Sequence, residues 1–243
     1  MTNSVIIIPS RLSAKRLLNK PLMEIKGIPM IVHVVNRAKE SKVGDVYVAT
    51  PDAAIVEIVK KHGNEAILTS NNHETGTDRI YEVYSKKINK KIDIIINLQG
   101  DMPNIKPESI SKLNNFMRKY NCDMGTLAAN CKDEKEMLDI NIVKVSVDEK
   151  LNEKNFLQVK DFFRLAEGLK KEKVYHHIGC YAYTSSALAR YVKLSRSKKE
   201  IERNLEQMRA IENNFIIKVC LSNSLPLGVD TKRDFLQISR EMV

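Results

Sequence analysis

The sequence predicts an α/β protein, with 1–243 forming a single domain on one doubly wound, mostly parallel sheet. Three observations lead there. Short β-branched runs alternate with amphipathic stretches through the first half, as in βαβ units. Hydrophobic residues make up 43% and charged residues 29% of 243, enough to bury a core without disulfides or a structural metal. Nine Gly and seven Pro are too few for a disordered chain.

Taken in order, Val5-Ile6-Ile7-Ile8 is a buried strand stopped by Pro9. Pro29 opens a helix whose face is Ile31, Val34, Val35 and Ala38. Val46 to Ala49 is the next strand, and Asp52 is placed to cap a helix that Gly63 ends. Ala66 to Leu68 is a short strand, Asp78 to Lys87 a helix, and Ile92 to Leu98 the strongest internal strand, followed by a helix from Pro107. Further on, Ile142 to Val147 alternates as a strand with Lys144 and Ser146 turned away from the apolar set. Ile178 to Tyr183 and Phe215 to Val219 read as strands, Lys199 to Glu212 as one helix, and Thr231 to Met242 as a terminal helix. Residues 148–173 are rich in Lys and Glu and weakly periodic, which suggests an irregular excursion, either mobile or facing a dimer partner, rather than a domain linker.

Several function classes are set aside by composition. No apolar run exceeds four residues, so no membrane span is expected, and Met1 to Val5 lacks the pattern of a secretory signal. The four cysteines (122, 131, 180 and 220) have neither C-x-x-C nor zinc spacing and read as reduced thiols of a cytoplasmic protein. A formal net charge of +10 calls for an anionic partner. Nucleic acid is disfavoured, because Trp is absent, aromatics are 6%, and the lysines near 86–91 and 198–199 accompany no nucleic-acid motif.

Ligands of open parallel sheets bind beyond the carboxyl ends of the strands, so the residues just after strand signals carry the chemistry. After the first strand come Arg11, Lys15, Arg16 and Lys20, with no glycine to bring the backbone close to a phosphate; side chains would have to hold it. After the strongest strand come Gln99, Gly100 and Asp101, a carboxylate suited to Mg²⁺. Asp230 precedes the last helix and reads as its N-cap, as a second metal-binding carboxylate, or as both. Between them, Gly76-Thr77-Asp78-Arg79 reads as a ligand-binding helix start or as a capping turn with Thr77 or Asp78 as the cap. No nucleophile–His–Asp arrangement is present; His33 and His62 read as structural or solvated, and Met30, Met117, Met124 and Met208 as core.

In this order the segments IIIPSRL (6–12), NKPL (19–22), GIPMIVHVVNRA (27–38), VYVATPD (46–52), HETGTDR (73–79), INLQGDMP (96–103), HIGCYAY (177–183), LEQMR (205–209) and GVDT (228–231) resemble the 3-deoxy-D-manno-octulosonate (Kdo) cytidylyltransferases, or CMP-Kdo synthetases. The resemblance runs nearly end to end. It implies a fold of the nucleotide-diphospho-sugar transferase (Rossmann-like) type, a homodimer, and formation of CMP-Kdo and pyrophosphate from CTP and Kdo for lipopolysaccharide biosynthesis. It implies that Arg11, Arg16 and Lys20 hold the phosphates, that Asp101 and Asp230 bind Mg²⁺, and that Gln99 sits where the substrates meet. Gly76, Thr77, Asp78, Arg79, His177, Tyr181, Glu206 and Gln207 match positions lining the cytidine and sugar pockets.

The chain departs from the family pattern in places. Ala14 replaces a serine, Leu18-Asn19 replace Pro-Gly, Met102 replaces a glutamate, and Gln158 stands where the family has an arginine, with Lys160 or Arg164 as candidate substitutes. The loss of that arginine keeps open the same chemistry on a related 2-keto acid sugar, 8-amino-Kdo or a sialic acid. A basic nucleic-acid-binding domain and a non-catalytic homologue are the remaining alternatives.

Overall fold

The computed structural model describes residues 3–13, 17–88, 91–166 and 173–242. Two compact units emerge: Met1–Ser111 with Pro226–Val243, and Lys112–Leu225.

In the first unit β1 (Ser4–Pro9), β4 (Asp45–Thr50), β5 (Glu65–Leu68) and β6 (Ile94–Leu98) lie in the order β5-β4-β1-β6. Their pairings are all parallel. β1 and β6 are buried along their whole length, which is why they read as unbroken apolar runs rather than alternating ones. The connecting helices α1 (Met30–Glu40), α2 (Ala53–Lys61) and α3 (Gly76–Lys87) follow the expected spans closely. Not foreseen is a turn over Lys20–Leu22 followed by a hairpin of β2 (Glu24–Ile25) and β3 (Ile28–Pro29). Ile25 of that hairpin and Met30 pack with Val229 and with Ile238 of α9 (Lys232–Glu241), so the end of the chain is part of this unit's core.

The second unit begins within α4 (Pro107–Lys119), and its strand pairings are mixed. Strands β7 (Met124–Asn130), β8 (Lys144–Val147), β9 (Leu157–Phe163), β10 (Val174–Thr184) and β11 (Ile217–Leu221) run in the order β10-β7-β11-β9-β8. Only β7 and β11 pair in parallel. β10 also pairs with β8, so the five strands close into a ring. Short helices α5 (Glu134–Leu138), α6 (Ser185–Tyr191), α7 (Lys198–Arg203) and α8 (Met208–Glu212) flank it.

Three expectations are corrected here. The segment 148–173 contains β9; a register shift in its pairing with β8 breaks the two-residue period, so its buried side chains are Val159 and Phe162. The single helix expected over Lys199 to Glu212 is two, because Asn204 adopts a left-handed conformation (φ 51°) that caps α7. Lys144 does not turn outward: it is fully buried, its ammonium donating to the carbonyls of Ile142 (3.0 Å), Asp139 (2.5 Å) and Arg164.

Candidate active site

Because β1, β4 and β6 are parallel neighbours, their carboxyl ends lie side by side. The backbone packs tightly there. A Cβ on Gly100 would stand 3.1 Å from the carbonyl oxygen of Pro9 and 3.3 Å from Ile31, and one on Gly76 would stand 3.2 Å from the Pro9 ring. A side chain at either position would make these neighbours give by a few tenths of an ångström.

Asp101, Asp230 and Lys20 meet in the first unit. The Lys20 ammonium donates to Asp101 Oδ2 at 3.2 Å, to Asp230 Oδ1 at 3.4 Å and to the carbonyl of Val229 at 2.6 Å. The Val229 amide in turn donates to the Asp101 carbonyl (2.9 Å), tying the two carboxylate-bearing segments together. Lys20 reaches this point because Asn19, where the family pattern has Gly, takes the left-handed conformation (φ 54°) that Asn tolerates better than most residues. Three hard oxygens thus converge on one cation, a donor set that suits Mg²⁺. Among the described residues no group of three or more His, Cys, Asp or Glu side chains could hold a metal, so a divalent ion here would draw the rest of its shell from water and phosphate.

Asp230 is not the cap of α9. Thr231 is, in a capping box with Asp234 whose Oδ2 also accepts from the Asp230 amide (3.1 Å). Thr75 likewise caps α3, with Asp78 as its box partner, so Asp78 is committed to the helix end. Arg79 is 4% exposed and donates to Thr69 Oγ1 (2.5 Å) and the Ser70 carbonyl (2.9 Å), fastening the loop ahead of α3. Burial lowers its pKa, and the nearby Arg11 lowers it further. Thr77 is buried and accepts from Asn97 Nδ2 (3.4 Å), while Gln99 Nε2 donates to Asn97 Oδ1 (3.2 Å). Arg11 is exposed at the β1 tip; Arg16 lies outside the described residues.

The remaining candidates belong to the second unit. His177 is buried, its ring edge-on to Phe162 and 5.0 Å away between centroids, and 5.3 Å from the ring of Tyr181. Its Nε2 is 3.1 Å from Thr126 Oγ1, whose own proton goes to the carbonyl of Cys180 (3.0 Å) or Ile178 (3.3 Å). The ring therefore carries its proton on Nε2, leaving Nδ1 as an acceptor. Burial raises the Tyr181 pKa, with smaller contributions from Tyr183 and Glu206, so Tyr181 is a neutral donor at any ordinary pH. The Glu206 carbonyl accepts from the Tyr191 hydroxyl at 2.9 Å, and Gln207 is buried beside it.

Burial, and secondarily His176, hold the His177 pKa down at about 3. The unfolded chain binds this proton near 6.5, so the stability of the neutral buried ring is complete above that pH and is lost as pH falls from about 6.5 toward about 3. Between pH 7 and pH 5 this should cost about 2 kcal/mol. Urea unfolding at the two pH values should show that loss in the wild type and a smaller one in His177→Gln; parallel curves would mean that the ring protonates freely.

Four contributors escaped the reading of the sequence. Asp52 precedes α2 without a side-chain cap bond; its Oδ2 instead accepts from the Leu12 amide at 2.8 Å and so holds the loop after β1. Ser10, 8% exposed, has a buried hydroxyl without a hydrogen-bond partner. Asp234 was detectable from its spacing to Thr231, a capping-box signature. Arg203 donates to Asp161 Oδ1 (2.6 Å) and the Phe162 carbonyl (2.7 Å), beside the ring that meets His177. Gln158 is exposed opposite Lys218, Lys160 pairs with Asp148, and Arg164 donates to the carbonyls of Ile140 and Asn141.

Comparison with known proteins gives three results. Residues 5–219 match the family model described as cytidylyltransferase. The 3-deoxy-manno-octulosonate cytidylyltransferase of Brucella canis is 41% identical over 232 residues, covering 95% of this chain and 92% of its own. That of Rhodopseudomonas palustris is 40% identical over 243 residues, covering 100% and 98%. Among solved structures, a CMP:2-keto-3-deoxy-manno-octonic acid synthetase complexed with CTP superposes with TM-score 0.91 at 34% identity, covering 99% of this chain and 98% of that one. A 4-diphosphocytidyl-2C-methyl-D-erythritol synthase from Anaerococcus prevotii, 12% identical with TM-score 0.66, shares the fold.

Proposed function

Since this chain belongs to the cytidylyltransferase family, we propose that it transfers CMP from CTP to the anomeric hydroxyl of Kdo, giving CMP-Kdo and pyrophosphate. The observation that carries the reading is the meeting of Lys20, Asp101 and Asp230 beyond the β-strand ends of a chain that aligns along its full length with Kdo cytidylyltransferases.

The sugar hydroxyl gives its proton to water as its oxygen attacks the α-phosphorus in line, the bond to the bridging oxygen breaks, and pyrophosphate leaves with the electron pair. No covalent nucleophile is needed; positioning and charge neutralisation are. Asp101 and Asp230 would hold Mg²⁺, which when bound would lower the hydroxyl pKa and offset the triphosphate charge. Arg11, Arg16 and Lys20 take the phosphates and stabilise the charge that develops on the leaving group. Gly76 faces the nucleotide at the start of α3, with Asp78 and the buried Thr77 and Arg79 as positioning residues that set the loop and the helix end. Gln99 orients the reacting groups. His177, as a neutral acceptor, and Tyr181, Glu206 and Gln207 take the sugar.

CMP-Kdo made in this way serves lipopolysaccharide biosynthesis. A cytoplasmic setting, where CTP is found, agrees with four cysteines that form no disulfide. No described helix is long and apolar enough to cross a membrane. The protein acts as a homodimer without nucleic acid; the exposed Leu138, Ile140 and Leu165 are apolar surface that association of two copies would cover.

Pyrophosphate release should require CTP, Mg²⁺ and Kdo together, and Kdo should turn over at least about tenfold faster than 8-amino-Kdo or a sialic acid, a preference a single buried polar contact can supply. Equal turnover of CTP without sugar, or a preference for another sugar, would overturn the assignment.

A further inference from the structure

The Lys20 ammonium occupies the point where the carboxylates of Asp101 and Asp230 converge, which is also the point a divalent cation would take. We propose that Lys20 is an internal competitor for the metal: it neutralises the carboxylate pair before the nucleotide arrives and gives up that position when the metal enters with CTP. The proposal rests on the cytidylyltransferase reading and concerns how its metal site is filled.

Three features of the geometry point to it. The Lys20 side chain is 13% exposed, against 32% for Asp101 and 46% for Asp230, so the ammonium lies beneath the carboxylates rather than beside them in solvent. Its shortest contact, 2.6 Å, is to the carbonyl of Val229, so the cation is held by backbone as well as by charge. The side chain also starts from a fixed base, because Asn19 in its left-handed conformation and the turn over Lys20–Leu22 set its direction. A metal entering the pair must therefore displace a partly desolvated cation, which weakens its binding to the nucleotide-free protein. A triphosphate changes the balance by offering the displaced ammonium a new set of anionic oxygens. Metal and nucleotide should then each strengthen the binding of the other, as linkage requires.

Mn²⁺ binding read by the loss of the free-ion electron paramagnetic resonance signal tests this without turnover. In nucleotide-free protein, Lys20→Met should bind Mn²⁺ at least about tenfold more tightly than the wild type, as expected from removing a cation in contact with both ligands. Lys20→Arg, which keeps the charge, should stay near the wild type. Adding CTP should raise the Mn²⁺ affinity of the wild type more than that of Lys20→Met. Thermal melting with and without Mn²⁺ gives a second readout, the larger rise belonging to Lys20→Met. Equal or weaker Mn²⁺ binding by a folded Lys20→Met would overturn the competition while leaving the metal site in place. Failure of both proteins to bind Mn²⁺ even with CTP would overturn the metal assignment and the competition with it.

Discussion

Asp101→Asn is expected to slow CMP transfer by about a thousandfold, the loss that corresponds to about 4 kcal/mol of transition-state stabilisation. The substitution is nearly isosteric. The Asp101 carbonyl that receives the Val229 amide is untouched, and the lost ion pair to Lys20 joins a carboxylate that is 32% exposed, so solvent already weakens it. Melting temperature should therefore change little while activity collapses. A neutral amide oxygen is a poor ligand for Mg²⁺ and leaves the triphosphate charge less compensated. Steady-state pyrophosphate release at millimolar Mg²⁺, beside a thermal melt of the same preparation, separates the two effects. Near-normal turnover would remove Asp101 from the metal site.

Arg209→Met should act in the opposite sense, on the fold first. Arg209 and Glu200 are 4% and 2% exposed and share two hydrogen bonds, of 2.8 Å and 2.7 Å. Glu200 is the main cause of the raised Arg209 pKa; burial works to raise that of Glu200, but Arg209 and Arg196 more than offset it and hold it below the ordinary value. Removing one partner strands the other charge in the core, a loss of about 3–5 kcal/mol. Arg196, bonded to Glu200 at 3.0 Å but half exposed, keeps the effect toward the lower end. The double variant Arg209→Met/Glu200→Leu should recover much of the stability, since an apolar pair replaces a charge pair rather than half of one. Denaturant titration of the single and double variants checks both, and a single variant as stable as wild type would mean that Glu200 is not buried as an anion. Because Arg209 also stacks 5.0 Å from the Tyr191 ring, whose hydroxyl holds the Glu206 carbonyl, the single variant should additionally weaken use of the sugar.

The parallel strands and connecting helices of the first unit were legible because each declares itself locally, whereas the two-residue strands of the β2–β3 hairpin are too short to carry a pattern. The runs at Ile6–Ile8 and Ile94–Ile96 are buried on both faces, and the helices carry plain apolar stripes. The second unit showed β8, β10 and β11 in outline but hid β7 and β9. β7 is written with Gly and Ala, weak strand formers. β9 loses its alternation at a bulge, and Asn204 stops a helix whose charged pattern continues past it. Lys144 shows how a tertiary cage overrides polarity, since three carbonyls make burial of an ammonium acceptable. At the site, position after a strand was enough to single out Asp101 and Lys20. That one ammonium bridges both carboxylates was not, because Lys20 is 81 residues from Asp101 and 210 from Asp230. Asp52 was read as a cap because its place before a helix fits one; its bond to Leu12 exists only because β1 and β4 are adjacent.

The first unit is completed by residues 226–243, and Asp230 is among them. During synthesis at about 5–20 residues per second, the ribosome delivers the cation loop and Asp101 well before the second carboxylate, with all of Lys112–Leu225 in between. An emerging polypeptide thus presents the arginines and lysine of the β1 loop without the finished Asp101–Asp230 pair. The carboxylate pair is therefore complete only once the segment that carries Val229 and Ile238 has packed against Ile25 and Met30.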